Sequence, residues 1–126
     1  MVTKKILIVE DRSNLLQLER IILTSKGYAV MEASDGRTAL DTIAATSPDL
    51  ILLDLMLPKI DGFEVCRRVK QNTLSSHIPV VILTARRTAE DKRRAREVGA
   101  DAFLTKPFRS SEVLSTIEKL LPDDRD

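Results

Sequence analysis

Asp49-Leu50-Ile51-Leu52-Leu53-Asp54-Leu55-Met56-Leu57-Pro58 is the stretch whose reading decides the fold. Four consecutive apolar residues run straight into the carboxylate of Asp54, and a proline follows four residues later. A short unbroken apolar run is the pattern of a strand covered on both faces, as in a parallel sheet between helical layers. Asp54 therefore stands where a buried strand surfaces. A carboxylate is costly at such a place unless its charge is used.

Upstream, Lys5-Ile6-Leu7-Ile8-Val9 has the same pattern and ends abruptly in Glu10-Asp11. Downstream, Pro79-Val80-Val81-Ile82-Leu83 repeats it, with proline at the first strand residue, where it is tolerated, and ends in Thr84-Ala85. Ala102-Phe103-Leu104 is a short fifth strand running into Thr105-Lys106-Pro107. Residues 28–33 are more mixed and read as a strand nearer a sheet edge.

Helical patterns separate these strands. Ser13 or Asn14 is expected to cap the first helix, with Leu15, Leu18 and Ile22 inward and Gly27 as its stop. Ser34-Asp35-Gly36 opens the second helix, which carries Ala39, Leu40, Ile43 and Ala44 to Ser47-Pro48. Asp61-Gly62 opens the third, with Val65, Cys66 and Val69 inward, before the polar loop Asn72 to His77. Thr88 and Asp91 form a capping-box pattern for the fourth, which closes at Val98-Gly99. Ser110 or Ser111 is expected to cap the fifth, with Val113, Leu114, Ile117, Leu120 and Leu121, and Pro122 ends it. Residues 122–126 read as a polar, frayed tail or the start of a linker.

Five strands alternating with five helices predict a doubly wound α/β fold, because parallel strands need right-handed helical crossovers. The order 2-1-3-4-5 is the expected one for a five-stranded unit, with ligands at the carboxyl ends near strands 1 and 3. The 126 residues fit one domain with its core in 4–121. A net charge of +1 gives no global attraction to nucleic acid or membrane, and no apolar run approaches the roughly 20 residues of a membrane span. The single cysteine excludes an internal disulfide, which fits a cytoplasmic protein. Cys66 is read as core, and His77 as a solvated loop residue without ligand-spaced partners.

In that order Glu10, Asp11, Asp54, Thr84 and Lys106 reach one rim. Three carboxylates in one place repel each other, and a divalent cation removes the conflict. An all-oxygen site suits a hard ion such as Mg²⁺, which keeps waters that phosphoryl oxygens can replace. Lys106 offers a positive charge and Thr84 a hydroxyl for the remaining oxygens, and a carboxylate is a competent nucleophile towards phosphorus. Each residue also has an ordinary reading: Asp54 as a turn former, Glu10, Asp11 and Thr84 as caps, Lys106 as a loop lysine. Their convergence on one rim favours the chemical reading.

Together these motifs, with Asp61-Gly62, Gly99-Ala100-Asp101 and Thr105-Lys106-Pro107-Phe108, make residues 4–121 resemble a CheY-like receiver domain of two-component response regulators. The resemblance implies a flavodoxin-like sheet. It makes Asp54 the phosphoacceptor for a sensor histidine kinase or phosphotransfer protein. Asp11 would bind Mg²⁺ directly and Glu10 mainly through water, with Asp54 and the Met56 carbonyl completing the protein ligands. Thr84 and Lys106 would hold the phosphoryl group, Lys106-Pro107 is a candidate cis peptide, and Phe103 falls at the aromatic switch position. On phosphorylation Thr84 would move towards the phosphoryl and Phe103 would fill the space behind it.

The chain departs from the family pattern in places. Glu10 replaces a common aspartate, Arg12 a common acid, and Phe103 lacks a hydroxyl, so any switch there works by packing. Met56 and Arg86 flank the site at positions that influence dephosphorylation in the family, and Arg86 could obstruct or organise the attacking water.

From Arg86 to Glu97 there are six basic and three acidic residues. They lie on a helix that receivers use, with the fifth strand and fifth helix, to engage an output protein or domain or to form a homodimer. An acidic partner, an ion-paired dimer interface and a plain solvated face all fit that charge. Direct nucleic-acid binding is not expected, and Thr116, where an arginine is usual, counts against dimerising winged-helix regulators. Two alternatives remain at this level. One is a degenerate receiver that only binds protein. The other is a Mg²⁺-dependent aspartyl-phosphate phosphohydrolase, disfavoured because Met56 occupies the place of its second acid.

Overall fold

The computed structural model describes residues 3–121. Its elements run β1 (Lys5–Val9), α1 (Ser13–Thr24), β2 (Ala29–Ala33), α2 (Gly36–Thr46), β3 (Leu50–Leu53), α3 (Gly62–Gln71), β4 (Val80–Thr84), α4 (Ala89–Glu97), β5 (Ala102–Thr105) and α5 (Ser110–Leu120). All strand pairs are parallel, in the order β2-β1-β3-β4-β5. The expected doubly wound α/β fold is the one observed.

Alternation along the strands explains why their apolar runs are unbroken. Ile6, Ile8, Leu50, Leu52, Val81 and Leu83 face one layer with Leu23, Val113 and Ile117 of α1 and α5. Leu7, Val9, Ile51, Leu53, Val80 and Ile82 face the other, with Ala39, Ile43, Val65, Val69 and Ala95 of α2, α3 and α4. Every second residue serves one helical layer, so polar residues occur only at the ends of the central strands. Outer β2 has only Ala33 buried, as its mixed sequence predicts.

Local signals act as expected at several helix ends. Asp35 and Asp61 cap α2 and α3 through Thr38 N–H and Glu64 N–H, and Thr88 with Asp91 forms a reciprocal capping box. Cys66 is buried, its thiol directed to the Val98 carbonyl. Burial pushes that thiol up to about 12, which suits a core residue and not a redox centre.

Three expectations need correction. Ser13 and Ser110 are the first residues inside their helices, and Arg12 and Arg109 stand at the caps without a side-chain cap bond. The first helix does not turn Leu15, Leu18 and Ile22 inward as a set: Leu18 is exposed, while Glu19, Ile22 and Leu23 are buried. A second stripe, Leu16, Glu19 and Leu23, has the same spacing, and packing chooses the face that carries the glutamate. Strand boundaries shift by a residue, with β2 starting at Ala29 and β4 running Val80–Thr84. The expected stop at Pro122 and the polar tail 122–126 lie outside the described residues.

Candidate active site at the carboxyl ends of the strands

Register brings the rim residues together. Val9 pairs with Leu53, so the next residues, Glu10 and Asp54, emerge side by side, and Asp54 N–H donates to the Val9 carbonyl at 3.0 Å. Thr84 pairs with Thr105, and Lys106 N–H donates to the Thr84 carbonyl at 2.9 Å. The Lys106–Pro107 peptide bond is cis. Gly62 packs so tightly under the site that a Cβ would lie against the Asp54 carbonyl oxygen and 2.6 Å from Leu55 Cα. Glycine is needed here for close backbone approach.

Glu10, Asp11 and Asp54 each offer an oxygen, and these lie within 4.8 Å of one another. Glu10 and Asp54 are buried and Asp11 is exposed, which leaves one open side to the cluster. The donor set is all oxygen and anionic, so it fits a hard divalent cation such as Mg²⁺ and offers no soft ligand. Lys106 Nζ donates to Asp54 Oδ2 at 2.9 Å and also to Glu10 Oε1. Burial alone would lower the Lys106 pKa, but its bonds to Glu10 and Asp54 outweigh that and hold it above the usual lysine value. The lysine therefore stays charged and neutralises part of the cluster.

Met56 contributes through its backbone: its N–H donates to Asp54 Oδ1 at 3.1 Å, while its side chain points largely into solvent. Thr84 is fully buried, and its Oγ accepts the Arg86 N–H at 3.3 Å. Phe103 sits two residues before Thr105 on β5, half-buried, and borders a cleft of about 330 Å³ with Lys92, Ala95 and Arg96 of α4. On α4 itself, Arg93 bridges Glu90 and Glu97, so part of that positive charge is used within the helix.

Glu19 is a neighbour that periodicity did not reveal. It is 3% exposed on α1, one of its carboxyl oxygens has no hydrogen-bond partner among the described residues, and its charged neighbours include Glu10, Lys106 and Asp54. Burial first, then the charge of Glu10, raises its pKa to about 8. The only sequence signal was a glutamate interrupting an otherwise apolar stripe. Arg86 was foreseen as flanking the site, but not its direction. Its guanidinium turns to Asp91 Oδ1 at 2.7 Å and lies over the Phe63 ring.

Comparison with known proteins agrees with this geometry. The model of the response regulator receiver domain family matches residues 6–118. The alkaline phosphatase synthesis transcriptional regulatory protein PhoP of Bacillus subtilis is 43% identical over 118 residues, which are 94% of this chain and 48% of that protein. The chain thus spans about half the length of that curated relative. Among solved structures, the chemotaxis protein CheY4 of Vibrio cholerae superposes with a TM-score of 0.89 at 32% identity, covering 95% of this chain and all of that one. The receiver domain of a sensor histidine kinase from Pseudomonas aeruginosa, with a magnesium ion coordinated in its active site cleft, gives a TM-score of 0.89 at 27% identity over 97% and 100% of the two chains. A sheet that delivers three acids and a lysine to one rim, and a family match spanning nearly all of it, lead to one conclusion: the chain belongs to the response regulator receiver domain family, the signalling modules of two-component systems.

Proposed function

We propose that this receiver takes a phosphoryl group on Asp54 and reports it through the face formed by α4, β5 and α5. The single observation that carries the reading is the bridging of Glu10 and Asp54 by Lys106, next to an acidic set of metal-binding size. Glu10, Asp11 and Asp54, with the Met56 carbonyl, would hold Mg²⁺, which when bound offsets the charge of the incoming phosphoryl oxygens.

Asp54 attacks phosphorus with a carboxylate oxygen. The O–P bond forms as the N–P bond of a donor phosphohistidine breaks, and that electron pair stays on the imidazole nitrogen. Lys106, already charged beside Asp54, follows a phosphoryl oxygen, and the Thr84 hydroxyl donates to another. Met56 N–H holds the second Asp54 oxygen and orients the nucleophile. The donor is a sensor histidine kinase or phosphotransfer protein in the cytoplasm, and the listener is an output domain or a separate protein. Thr84 and Phe103 carry the state to the α4 face, which serves partner binding or homodimerisation.

Acetyl phosphate with Mg²⁺ is expected to add one acid-labile phosphoryl to the wild type and none to Asp54→Asn. Labelling of that variant, or failure of the wild type with every donor tried, refutes the reading. In a Mg²⁺ titration Asp11→Ala is expected to weaken binding far more than Glu10→Ala.

A further inference from the structure

The Arg86 side chain joins the loop after β4 to α4 and α3. Thr84 ends β4, and its Oγ accepts the backbone N–H of Arg86, two residues on. The Arg86 guanidinium then reaches back to Asp91 Oδ1 at 2.7 Å, and the Asp91 side chain is 7% exposed. Asp91 is itself locked by the reciprocal capping box with Thr88. Hydrogen bonds from Thr88, ahead of the Arg86 charge, hold the Asp91 carboxyl below its usual range, so it remains an anion for the arginine.

The same guanidinium lies 5.6 Å from the centroid of the Phe63 ring, and Arg94 of α4 lies 4.2 Å from it. Phe63 is 2% exposed and follows Gly62, the residue packed against the Asp54 backbone. One side chain is therefore tied to the α4 cap and to the α3 end beneath Asp54. Stacking and a planar hydrogen-bond fork suit arginine better than lysine.

A hydroxyl has one proton to give and two lone pairs to receive. The N–H of Arg86 takes a lone pair of Thr84 Oγ, which leaves the single proton for an acceptor outside the loop. We infer that Arg86 is a positioning residue: by anchoring its loop to Asp91 and Phe63, it presents its own N–H to Thr84 and so aims the Thr84 hydroxyl at a phosphoryl oxygen. The inference rests on the phosphoryl-acceptor reading above. It also gives Arg86 a direction: its guanidinium is fastened to Asp91 and lies over the Phe63 ring.

The test is the affinity of the whole chain for beryllofluoride, a phosphoryl stand-in, at saturating Mg²⁺, followed by NMR. Arg86→Met is expected to weaken it on the order of fivefold, the worth of one oriented hydrogen bond. Arg86→Lys, which keeps the charge for Asp91 but loses the stacked plane, is expected to fall in between. Mg²⁺ binding without beryllofluoride is expected to stay unchanged in both variants. In a Thr84→Ala background, Arg86→Met is expected to add no further loss, because its effect runs through the hydroxyl. Unchanged affinity in Arg86→Met, or the same loss with and without Thr84, overturns the inference. A wild type that accepts neither beryllofluoride nor phosphoryl overturns the receiver reading itself, and the inference with it.

Discussion

Glu19→Leu removes a buried carboxyl from the sheet-facing side of α1, where Leu23 and Ile22 are buried. In the folded protein the Glu19 pKa stands at about 8 against 4.5 for the ordinary group. Between those values the folded state keeps a proton that the unfolded state has released. The folded state then binds more protons, so raising the pH lowers stability. The contribution of Glu19 is intact below about pH 4.5 and is lost as the pH rises through about 8. At pH 7 the difference amounts to on the order of 3 kcal/mol. Leucine has no proton to lose and offers apolar surface to the cluster of Ile6, Ile8 and Leu23.

The variant is therefore expected to be more stable than the wild type by roughly that amount at neutral pH, with the gap shrinking towards about pH 5. Urea unfolding at several pH values reads this directly, in metal-free buffer because a cation held by Glu10 would change the field at Glu19. Equal pH slopes in the two proteins, or a gap that widens as the pH falls, would refute the reasoning.

Gly62→Ala is expected to cost about 2 kcal/mol in urea unfolding, because its Cβ meets Asp54 and Leu55 backbone that cannot swing aside. Lys106→Met leaves the Glu10 and Asp54 carboxylates without their cation, at a cost of about 3 kcal/mol without metal. Mg²⁺ should then raise its Tm by more than it raises that of the wild type; an equal rise in both would count against this charge balance. Thr88→Ala removes the side-chain half of the α4 capping box and is expected to cost about 1 kcal/mol, with amide exchange rising first at the start of α4.

Much of the fold was legible because each central strand serves two helical layers and so carries an unbroken apolar run. The run ending at Leu53 and the one ending at Val9 placed Asp54 and Glu10 on one rim once the parallel order was adopted. Caps with a local mechanism, Asp35, Asp61 and the Thr88–Asp91 pair, were equally visible, since their bonds span three residues. Ser13 and Ser110 misled, because a serine one residue inside a helix looks the same in sequence as a serine at its cap.

α1 shows the limit most clearly. Leu15, Leu18 and Ile22 form one apolar stripe, and Leu16, Glu19 and Leu23 form another with the same spacing. Periodicity cannot choose between faces about 100° apart, and a charge argued for the wrong one. Packing against Ile6, Ile8 and Leu50 chose the stripe with Glu19 and so set a fourth carboxyl behind Glu10.

By itself the sequence determined the element types, the parallel character of the sheet and the set of residues at the strand ends, because these follow from local spacing and from the burial pattern of single strands. Only the tertiary structure decided which face of α1 is buried, that Lys106 joins Glu10 to Asp54, and where Arg86 points. Those outcomes depend on contacts between residues distant in the chain, such as the 96 residues separating Lys106 from Glu10, and no local pattern encodes the direction of a long side chain.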